Sequence, residues 1–178
     1  MKQCILKATR AFSLLELLVA ISITAIIITL AVPSFTSLIK QSTVESKANI
    51  IFDIFQLSRR MAISQGKYIT ICPSVNGSQC SNKWQDGLMA FFDKDIDRTR
   101  SANEEIIALQ PTTASATLHG NRKYFTYGPL GTLKGGMGSL IVCSGDTGIS
   151  TRLLVSQMGR IRVEIEEHNP SCKNGFRY

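Results

Sequence analysis

Hydrophobic residues are concentrated near the N-terminus of the chain. From Phe12 to Val32 the sequence FSLLELLVAISITAIIITLAV is almost wholly apolar over 21 residues. As a helix this stretch is about 32 Å long, close to the hydrocarbon thickness of a bilayer. Basic residues precede it and predict a cytoplasmic N-terminus: Lys2, Lys7 and Arg10. A secretory signal peptide is the alternative, but Pro33-Ser34-Phe35 makes a poor small-x-small cleavage site.

A helical period continues beyond the apolar run. Apolar residues recur at spacings of four, three, four and seven, which place them on one helix face: Val44, Ala48, Ile51, Phe55 and Ala62. Gly66 is a reasonable C-cap. The pattern predicts one long helix, bent at Pro33. Residues 12–33 form its membrane-spanning half, and residues 34–66 form an amphipathic half that lies in the periplasm.

After Gly66 the period becomes strand-like, so residues 67–178 are expected to form a β-rich head with a C-terminal tail. Gly, Pro, Asn, Ser and Asp separate short β-rich runs: Lys67–Cys72, Leu88–Phe92, Glu105–Leu109, Lys123–Tyr127, Ser139–Cys143, Arg152–Ser156 and Arg160–Ile165. The predicted fold class is α+β, with the long N-terminal helix packed on an antiparallel sheet. A chain of 178 residues has room for one such domain.

The head contains an even number of cysteines, and the apolar segment before it implies export. Four cysteines therefore predict two disulfides: Cys72, Cys80, Cys143 and Cys172. Three pairings are possible. Cys72–Cys80 with Cys143–Cys172 is favoured, because the first closes a short loop and the second fastens the tail. A zinc site is disfavoured, since there is no CxxC pair and neither His is near a Cys in sequence.

Glu16 does not fit a plain membrane anchor. An unpaired carboxylate in lipid costs several kcal/mol, so a Glu inside a membrane span is a functional hypothesis by default. An N-terminal amine freed just before Phe12 would supply a cation. The sequence Ala11-Phe12-Ser13-Leu14-Leu15-Glu16 resembles the prepilin cleavage motif of type IV pilins and type II secretion pseudopilins. Ala11 stands where that family usually has Gly.

The resemblance implies a processing route and a set of partners. Residues 1–11 would be a leader that prepilin peptidase removes, with N-methylation of Phe12. Glu16, the fifth mature residue, would pair with the N-terminal amine of a neighbouring pilin subunit during assembly. Pro33 sits where pilins carry a helix-kinking proline. The protein would lie in the inner membrane with a periplasmic head and then enter a surface pilus or a periplasmic pseudopilus.

Segments of the head resemble the FimT/GspH branch of minor pilins and pseudopilins. They are Ile71-Cys72-Pro73-Ser74, Trp84, Gly87, Phe92-Asp93 and Tyr127-Gly128-Pro129-Leu130-Gly131. The segment Gly159-Arg160-Ile161-Arg162 matches the GRxR motif, which resembles the DNA-binding element of FimT-type competence pilins. The resemblance implies the type IV pilin fold and a minor pilin that binds extracellular double-stranded DNA during natural transformation.

Charge supports a polyanion partner. The net charge is +7, and without the leader it is +4. The segment from His119 to Arg162 nets +5 by itself, so the positive excess lies in the C-terminal half. Arg160 and Arg162 would lie about 6.5–7 Å apart on one strand face, close to the phosphate spacing of a nucleic-acid strand. Guanidinium groups bind phosphate through paired donors. Weaker candidates for this patch are Lys134, Arg152, Lys173 and Arg177, and weaker still Arg122 and Lys123.

An alternative interpretation stands beside DNA binding. In it the two arginines are solvated edge charges that face Glu164 and Glu166, and the protein acts only in initiation or assembly of a pilus or of a type II secretion pseudopilus. The aromatic residues Trp84, Phe91 and Phe92 are interpreted as core.

The remaining motifs give little support for a metal site or for catalysis. Asp93, Asp95, Asp97 and Glu104 match four EF-hand positions, but Arg98 replaces the required Gly, so an acidic turn is favoured over calcium. No metal, cofactor or enzymatic activity is expected, since His119 and His168 lie apart in loop or tail contexts and no GxSxG or P-loop is present.

Overall fold

The computed structural model describes residues 13–111, 115–145, 148–167 and 172, and within these it does not describe the side chains of residues 30–34, 166 and 167. The predicted leader, Phe12, Lys173 and Arg177 lie outside the described residues. Two compact units are present, one up to Leu38 and one from Ile39 onward. The helix α1, Leu14–Gln65, contributes residues to each of them.

In the first unit, α1 presents its apolar side chains outward. Leu14 is 81% exposed and Ile26 62%. The hydroxyl groups of Ser22 and Thr24 donate hydrogen bonds to the carbonyl oxygens four residues earlier, so these polar groups need no outside partner. Nowhere in the described part of the chain is there a helix both long enough and apolar enough to cross a membrane.

In the second unit, α1 supplies the centre of the core. All five members of the predicted apolar stripe are fully buried: Val44, Ala48, Ile51, Phe55 and Ala62. The ring of Phe55 packs edge-on against Phe125 at a centroid distance of 5.2 Å and against Tyr127 at 6.3 Å. This edge-to-face geometry favours aromatic pairs beyond the area they bury. The helix therefore packs on the β-rich head, as the fold-class prediction required.

The end of α1 also follows the prediction. Gly66 adopts the left-handed conformation, with φ of 63°. The N–H of Lys67 donates to the carbonyl of Ala62 at 3.2 Å, which is the six-to-one bond of a Schellman motif. The chain then turns directly into the first strand.

Nine strands follow in the described part of the head, all in antiparallel pairs. They are β1 Ile69–Cys72, β2 Gly87–Phe92, β3 Ile106–Pro111, β4 Thr117–Gly120, β5 Phe125–Tyr127, β6 Leu133–Lys134, β7 Gly138–Cys143, β8 Ile149–Val155 and β9 Ile161–Glu167. A five-stranded sheet has the order β3-β2-β1-β5-β6, and a four-stranded sheet the order β4-β7-β8-β9. One hydrophobic cluster joins α1 to both sheets.

The strand prediction was incomplete. It missed β4 and β6, and it treated His119 as a loop residue although His119 lies in β4, paired with Ile141 of β7. It also expected one sheet instead of two. The strand predicted to begin at Arg160 begins at Ile161, because Arg160 closes the preceding turn: its carbonyl accepts a hydrogen bond from the N–H of Ser156 at 2.9 Å.

The outer face of the five-stranded sheet carries a second, smaller cluster. Cys72, Met89 and Phe91 are buried there, and Cys80, Ile106 and Tyr124 pack against them. Trp84, Phe91 and Phe92 are core residues, as predicted.

Disulfides join Cys72 to Cys80 and Cys143 to Cys172, which is the pairing that the sequence favoured. The first disulfide contributes both of its sulfurs to the smaller cluster.

Candidate nucleic-acid interface

A tight hairpin joins β8 to β9 and presents the two candidate arginines. The N–H of Gly159 donates to the carbonyl of Ser156 at 2.8 Å, and the N–H of Ser156 donates to the carbonyl of Arg160 at 2.9 Å. Three residues, 157–159, therefore form the loop, and a left-handed residue ends it. This is the common three-residue hairpin with glycine at its last position. It places Arg160 directly before β9.

Gly159 is required at this turn for two separate reasons. Its φ of 77° lies in the left-handed region, which disfavours residues with a Cβ by about 1–2 kcal/mol. A Cβ at this position would also collide with the carbonyl oxygen of Gly131 and press on Arg59. The glycine of the GRxR segment thus has a structural role, which is to let the hairpin pack closely on the 128–132 loop.

Arg59 of α1 links the hairpin to the 128–132 loop by two hydrogen bonds. Its Nε donates to the carbonyl of Gly131 at 2.9 Å, and its Nη2 donates to the carbonyl of Met158 at 3.1 Å. The hydroxyl of Tyr127 donates to the carbonyl of Gly159 at 3.2 Å. Burial raises the pKa of the Tyr127 hydroxyl far above its usual value, although the nearby Arg59 charge opposes the rise. Tyr127 therefore remains a hydrogen-bond donor at physiological pH.

Arg160 and Arg162 line the same surface depression. Its volume is about 260 Å³, and the residues that line it are Met137, Gly138, Leu154, Val155, Ser156, Arg160 and Arg162. Both arginines are exposed. Within the part of the chain that the structure describes, neither guanidinium makes an ion pair or a hydrogen bond to protein. Both keep all their donors available for a ligand.

The strand register explains why the two arginines share a face. Arg162 lies opposite Leu154 of β8, and its neighbour Ile161 is buried in the core. Side chains alternate between faces of a strand, so Arg160, Arg162 and Glu164 project on the same side. Glu164 is exposed and lies opposite Arg152 in the register, and among the described residues it forms no ion pair with Arg160 or Arg162. The side chain of Glu166 is outside the described residues.

Two of the weaker basic candidates, Lys134 and Arg122, contact other groups of the protein. The ammonium group of Lys134 lies over the ring of Tyr68, 4.9 Å from its centroid, on the edge of the other sheet. Arg152 is half-buried on β8. Arg122 donates to the carbonyls of Gly136 and Met137 at 2.7 and 3.0 Å, and so it braces one wall of the depression instead of facing a ligand.

The sequence did not predict the apolar part of this site. Met137 is 73% exposed and Leu154 is half-buried, and both line the depression together with the arginines. Residues 137 and 154 meet because β7 pairs with β8 in the register Gly138 opposite Val155. Nothing local in the sequence signals that pairing.

The candidate assembly residues lie at the other end of the chain. Glu16 is in the first turn of α1 and is exposed, and within the described residues its carboxylate has no hydrogen-bond or ion-pair partner. A carboxylate in the first turn interacts favourably with the helix dipole. The helix assignment continues through Pro33, whose side chain is not described. Ala11 and Phe12 lie outside the described residues.

Two family models match the sequence. One, described as type II transport protein GspH, matches residues 47–159. The other, described as the prokaryotic N-terminal methylation motif, matches residues 6–32. No curated protein matches the chain.

Solved structures of similar fold come from two bacteria. The type IV minor pilin FimU of Pseudomonas aeruginosa strain PAO1 in space group P65 has a TM-score of 0.56 at 22% identity, covering 72% of this chain and 98% of that chain. Its P21 crystal form has a TM-score of 0.53 at 23% identity, covering 74% and 96%. The minor pseudopilin EpsH of Vibrio cholerae has a TM-score of 0.51 at 11% identity, covering 68% and 96%. At these identities the likeness shows the fold, which is that of the pilins and pseudopilins.

Proposed function

The chain belongs to the GspH family, and from that premise we propose that it is a minor type IV pilin that binds extracellular double-stranded DNA for uptake in natural transformation. Arg160 and Arg162 carry the binding, Gly159 sets the hairpin that presents them, and the wider basic half of the head supplies attraction at longer range. The partners are double-stranded DNA and the other pilin subunits of the filament.

One observation supports this proposal most strongly. Two neighbouring guanidinium groups line one depression, and within the described residues no protein group satisfies them. Arginine presents a planar fork of donors that matches phosphate oxygens, so two adjacent forks suit two adjacent phosphates. The hairpin is fixed by Gly159 and Arg59, so little conformational freedom of the backbone is lost on binding.

The geometry favours binding without sequence preference. A strand-borne pair of arginines contacts phosphates, which position a protein on DNA but carry no base information. Among the described residues, no aromatic side chain lines the depression, so base stacking is not part of the proposal. Phosphate binding of this kind releases counterions and weakens steeply as salt rises. Non-specific binding is what uptake of arbitrary DNA requires.

The direct test is a gel shift with the full-length chain in detergent and a duplex of arbitrary sequence, at about 50 and about 200 mM salt. We expect Arg160→Gln with Arg162→Gln to weaken binding about 10–100-fold at the lower salt. The control is Lys40→Gln with Lys83→Gln, which removes the same charge from two exposed positions elsewhere. Unchanged affinity in the arginine variant would reject the assignment to this hairpin.

A second candidate function is filament assembly alone, and Glu16 favours it. Its carboxylate is exposed, has no partner within the described residues, and lies inside the segment, residues 6–32, that matches the N-terminal methylation motif. We infer that prepilin peptidase removes residues 1–11 and that Glu16 pairs with the amine of a neighbouring subunit in the inner membrane. Large exposed apolar side chains along the first unit of α1 would then be covered by lipid or by other subunits.

The assembly role has its own test. Glu16→Ala is expected to insert into the inner membrane as the wild type does but to fail to enter filaments. Asp53→Ala, which removes an exposed carboxylate farther along α1, is the matched control and should be incorporated. Wild-type levels of Glu16→Ala in sheared filaments would reject this role. The assembly role of Glu16 does not itself exclude DNA binding, since the hairpin and Glu16 lie in different units.

A further inference from the structure

The loop between β2 and β3 brings three carboxylates close together, whereas the β8–β9 hairpin presents two arginines. Asp93, Asp95 and Asp97 each place one carboxylate oxygen within 4.8 Å of the other two. Asp95 and Asp97 are exposed, whereas Asp93 is fully buried. Like charges so close repel each other strongly unless a cation or a proton neutralises them.

One oxygen of the buried Asp93 carboxylate lacks a hydrogen-bond partner among the described residues. Oδ2 of Asp93 accepts hydrogen bonds from the hydroxyl of Thr70 at 2.6 Å and from the N–H of Arg98 at 3.2 Å. Oδ1 is shielded from solvent and has no hydrogen-bond partner within the described part of the chain. Native proteins seldom leave a buried carboxylate oxygen without a partner, and a bound ion can satisfy such an atom. This observation is independent of the clustering of the three aspartates.

The cations of the loop are engaged elsewhere. Nζ of Lys94 donates to the carbonyl of Asn103 at 2.9 Å. The guanidinium of Arg98 lies over the ring of Tyr124, 4.7 Å from its centroid, and Arg100 donates to the carbonyl of Ser78 at 3.5 Å. Among the residues that the structure describes, the three aspartates therefore form no ion pair.

The loop is nevertheless held in shape without a metal. Both carboxylate oxygens of the buried Glu104 accept backbone N–H groups, from Lys94 at 2.7 Å and from Ser101 at 2.9 Å. Glu104 is therefore a brace of the loop and not a ligand, and the loop is no EF-hand, since strands flank it. Arg98, which stands where an EF-hand has glycine, adopts the left-handed conformation itself, with φ of 67°.

We propose that Asp93, Asp95 and Asp97 form a binding site for a Ca²⁺ ion that fastens the β2–β3 loop of the head. Hard oxygen donors suit Ca²⁺, and at Ca–O distances of about 2.4 Å the oxygens of one coordination shell lie within about 4.8 Å of each other. Mg²⁺ fits less well, because it demands near-ideal octahedral geometry and gives up its waters reluctantly. The site is distinct from the arginine hairpin and does not depend on DNA binding.

The ion would act beyond the loop itself. Sγ of Cys80 lies 3.6 Å from the carbonyl oxygen of Arg98, and Arg100 donates a hydrogen bond to the carbonyl of Ser78. Both partners belong to the segment that the Cys72–Cys80 disulfide closes. Calcium would therefore stabilise two loops at once, together with the small cluster that lies beneath them.

The test measures thermal unfolding and calcium binding of the full-length chain in detergent, with CaCl₂, with MgCl₂ or with EDTA. For the wild type we expect the Tm to rise by about 5–10 °C when Ca²⁺ is about 100-fold above its Kd. Asp95→Asn with Asp97→Asn should weaken Ca²⁺ binding at least about tenfold by calorimetry, because it removes two of three ligand charges. Asp53→Asn with Glu164→Gln removes two exposed charges elsewhere and should keep the wild-type response.

A reversal in the order of stability separates a metal site from a merely structural turn. Asparagine keeps the Oδ1 atoms that accept the N–H groups of Asp97 and Thr99. In EDTA the double variant should therefore be at least as stable as the wild type, because carboxylate repulsion is relieved. In Ca²⁺ it should be less stable. No heat of Ca²⁺ binding to the wild type, an equal Tm rise in the double variant, or an equal rise with MgCl₂ would overturn the proposal.

Discussion

The β8–β9 hairpin and the β2–β3 loop are two charged regions of one head, and they are built in opposite ways. In the hairpin, the charged side chains of Arg160 and Arg162 point outward from a braced backbone. In the loop, the carboxylate of Asp93 is buried, and the side chains of Lys94 and Arg98 contact other groups. Outward charges on a rigid edge suit an extended polyanion, whereas converging charges around a buried oxygen suit a small ion.

The comparison shows that the arrangement of charge matters more than its amount. The aspartates of the loop converge within 4.8 Å, and the arginines are set side by side along a strand. Each region also depends on an uncharged residue. Gly159 closes the turn of the hairpin, and the hydroxyl of Thr70 donates a hydrogen bond to Asp93 of the loop. Perturbing one region should therefore leave the other intact.

Gly159→Ala is expected to have the largest effect and to break the hairpin alone. The strained backbone and the collision with the Gly131 carbonyl together should lower the free energy of unfolding by about 2–5 kcal/mol. DNA affinity should fall as the arginines lose their alignment, while calcium binding persists in the folded fraction. Chemical denaturation of the full-length chain measures the loss.

Gly66→Ala is the matched control for that substitution. Gly66 also has a left-handed backbone, with φ of 63°, but open space surrounds the position of its missing Cβ. Gly66→Ala should lower the free energy of unfolding only by the cost of a left-handed backbone at alanine, about 1–2 kcal/mol. If Gly159→Ala and Gly66→Ala lowered the free energy of unfolding equally, the close approach of the hairpin to the 128–132 loop would contribute nothing to stability.

The two disulfides should support the two regions separately. Loop-closure entropy predicts a loss of about 3.6 kcal/mol without Cys143–Cys172 and about 2.5 kcal/mol without Cys72–Cys80, because the sequence separations are 29 and 8 residues. Paired Ser substitutions, followed by denaturation, measure both losses. Removing Cys72–Cys80 should also weaken calcium binding but spare DNA binding, and a fall in DNA affinity there would contradict the separation.

A change from about pH 7 to about pH 5 should produce the smallest effect. Burial lowers the pKa of His119 from its usual 6.5. As pH falls through this usual value towards the lower folded value, the unfolded chain gains a proton that the folded chain resists, so His119 makes stability decline. His119→Gln should reduce this decline in denaturation curves. Arginine stays charged throughout, so the charge of the hairpin should not vary over this range.

Sequence patterns predicted the local features of the molecule and the two disulfides, but missed part of the strand pairing. The buried stripe from Val44 to Ala62 and the end of the helix at Gly66 follow from helical period and glycine conformation, which are properties of neighbouring residues. The strand β4 and the division into two sheets depend on pairing between distant segments, such as Thr117 opposite Cys143. No periodicity within a short window encodes such a pairing.

The same division holds at the candidate sites. The spacing of Arg160 and Arg162 is enough to place them on one strand face, because side chains alternate along a strand. The contacts that fix them join residues 72 and 99 positions apart, from Arg59 to Gly131 and to Met158. In the acidic loop, the DxDxD spacing is visible in the sequence but favoured a simple turn, because the burial of Asp93 and its unpartnered oxygen depend on the tertiary fold.

The salt dependence of DNA affinity tests the central claim most directly. For the full-length chain, log K against log salt concentration should be linear, with a slope of about −0.9 for each phosphate neutralised. Arg160→Gln with Arg162→Gln should make that slope shallower by about 2 units, one for each lost phosphate contact, whereas Lys40→Gln with Lys83→Gln should leave it unchanged. Equal slopes for the wild type and the arginine variant would show that the hairpin does not bind DNA.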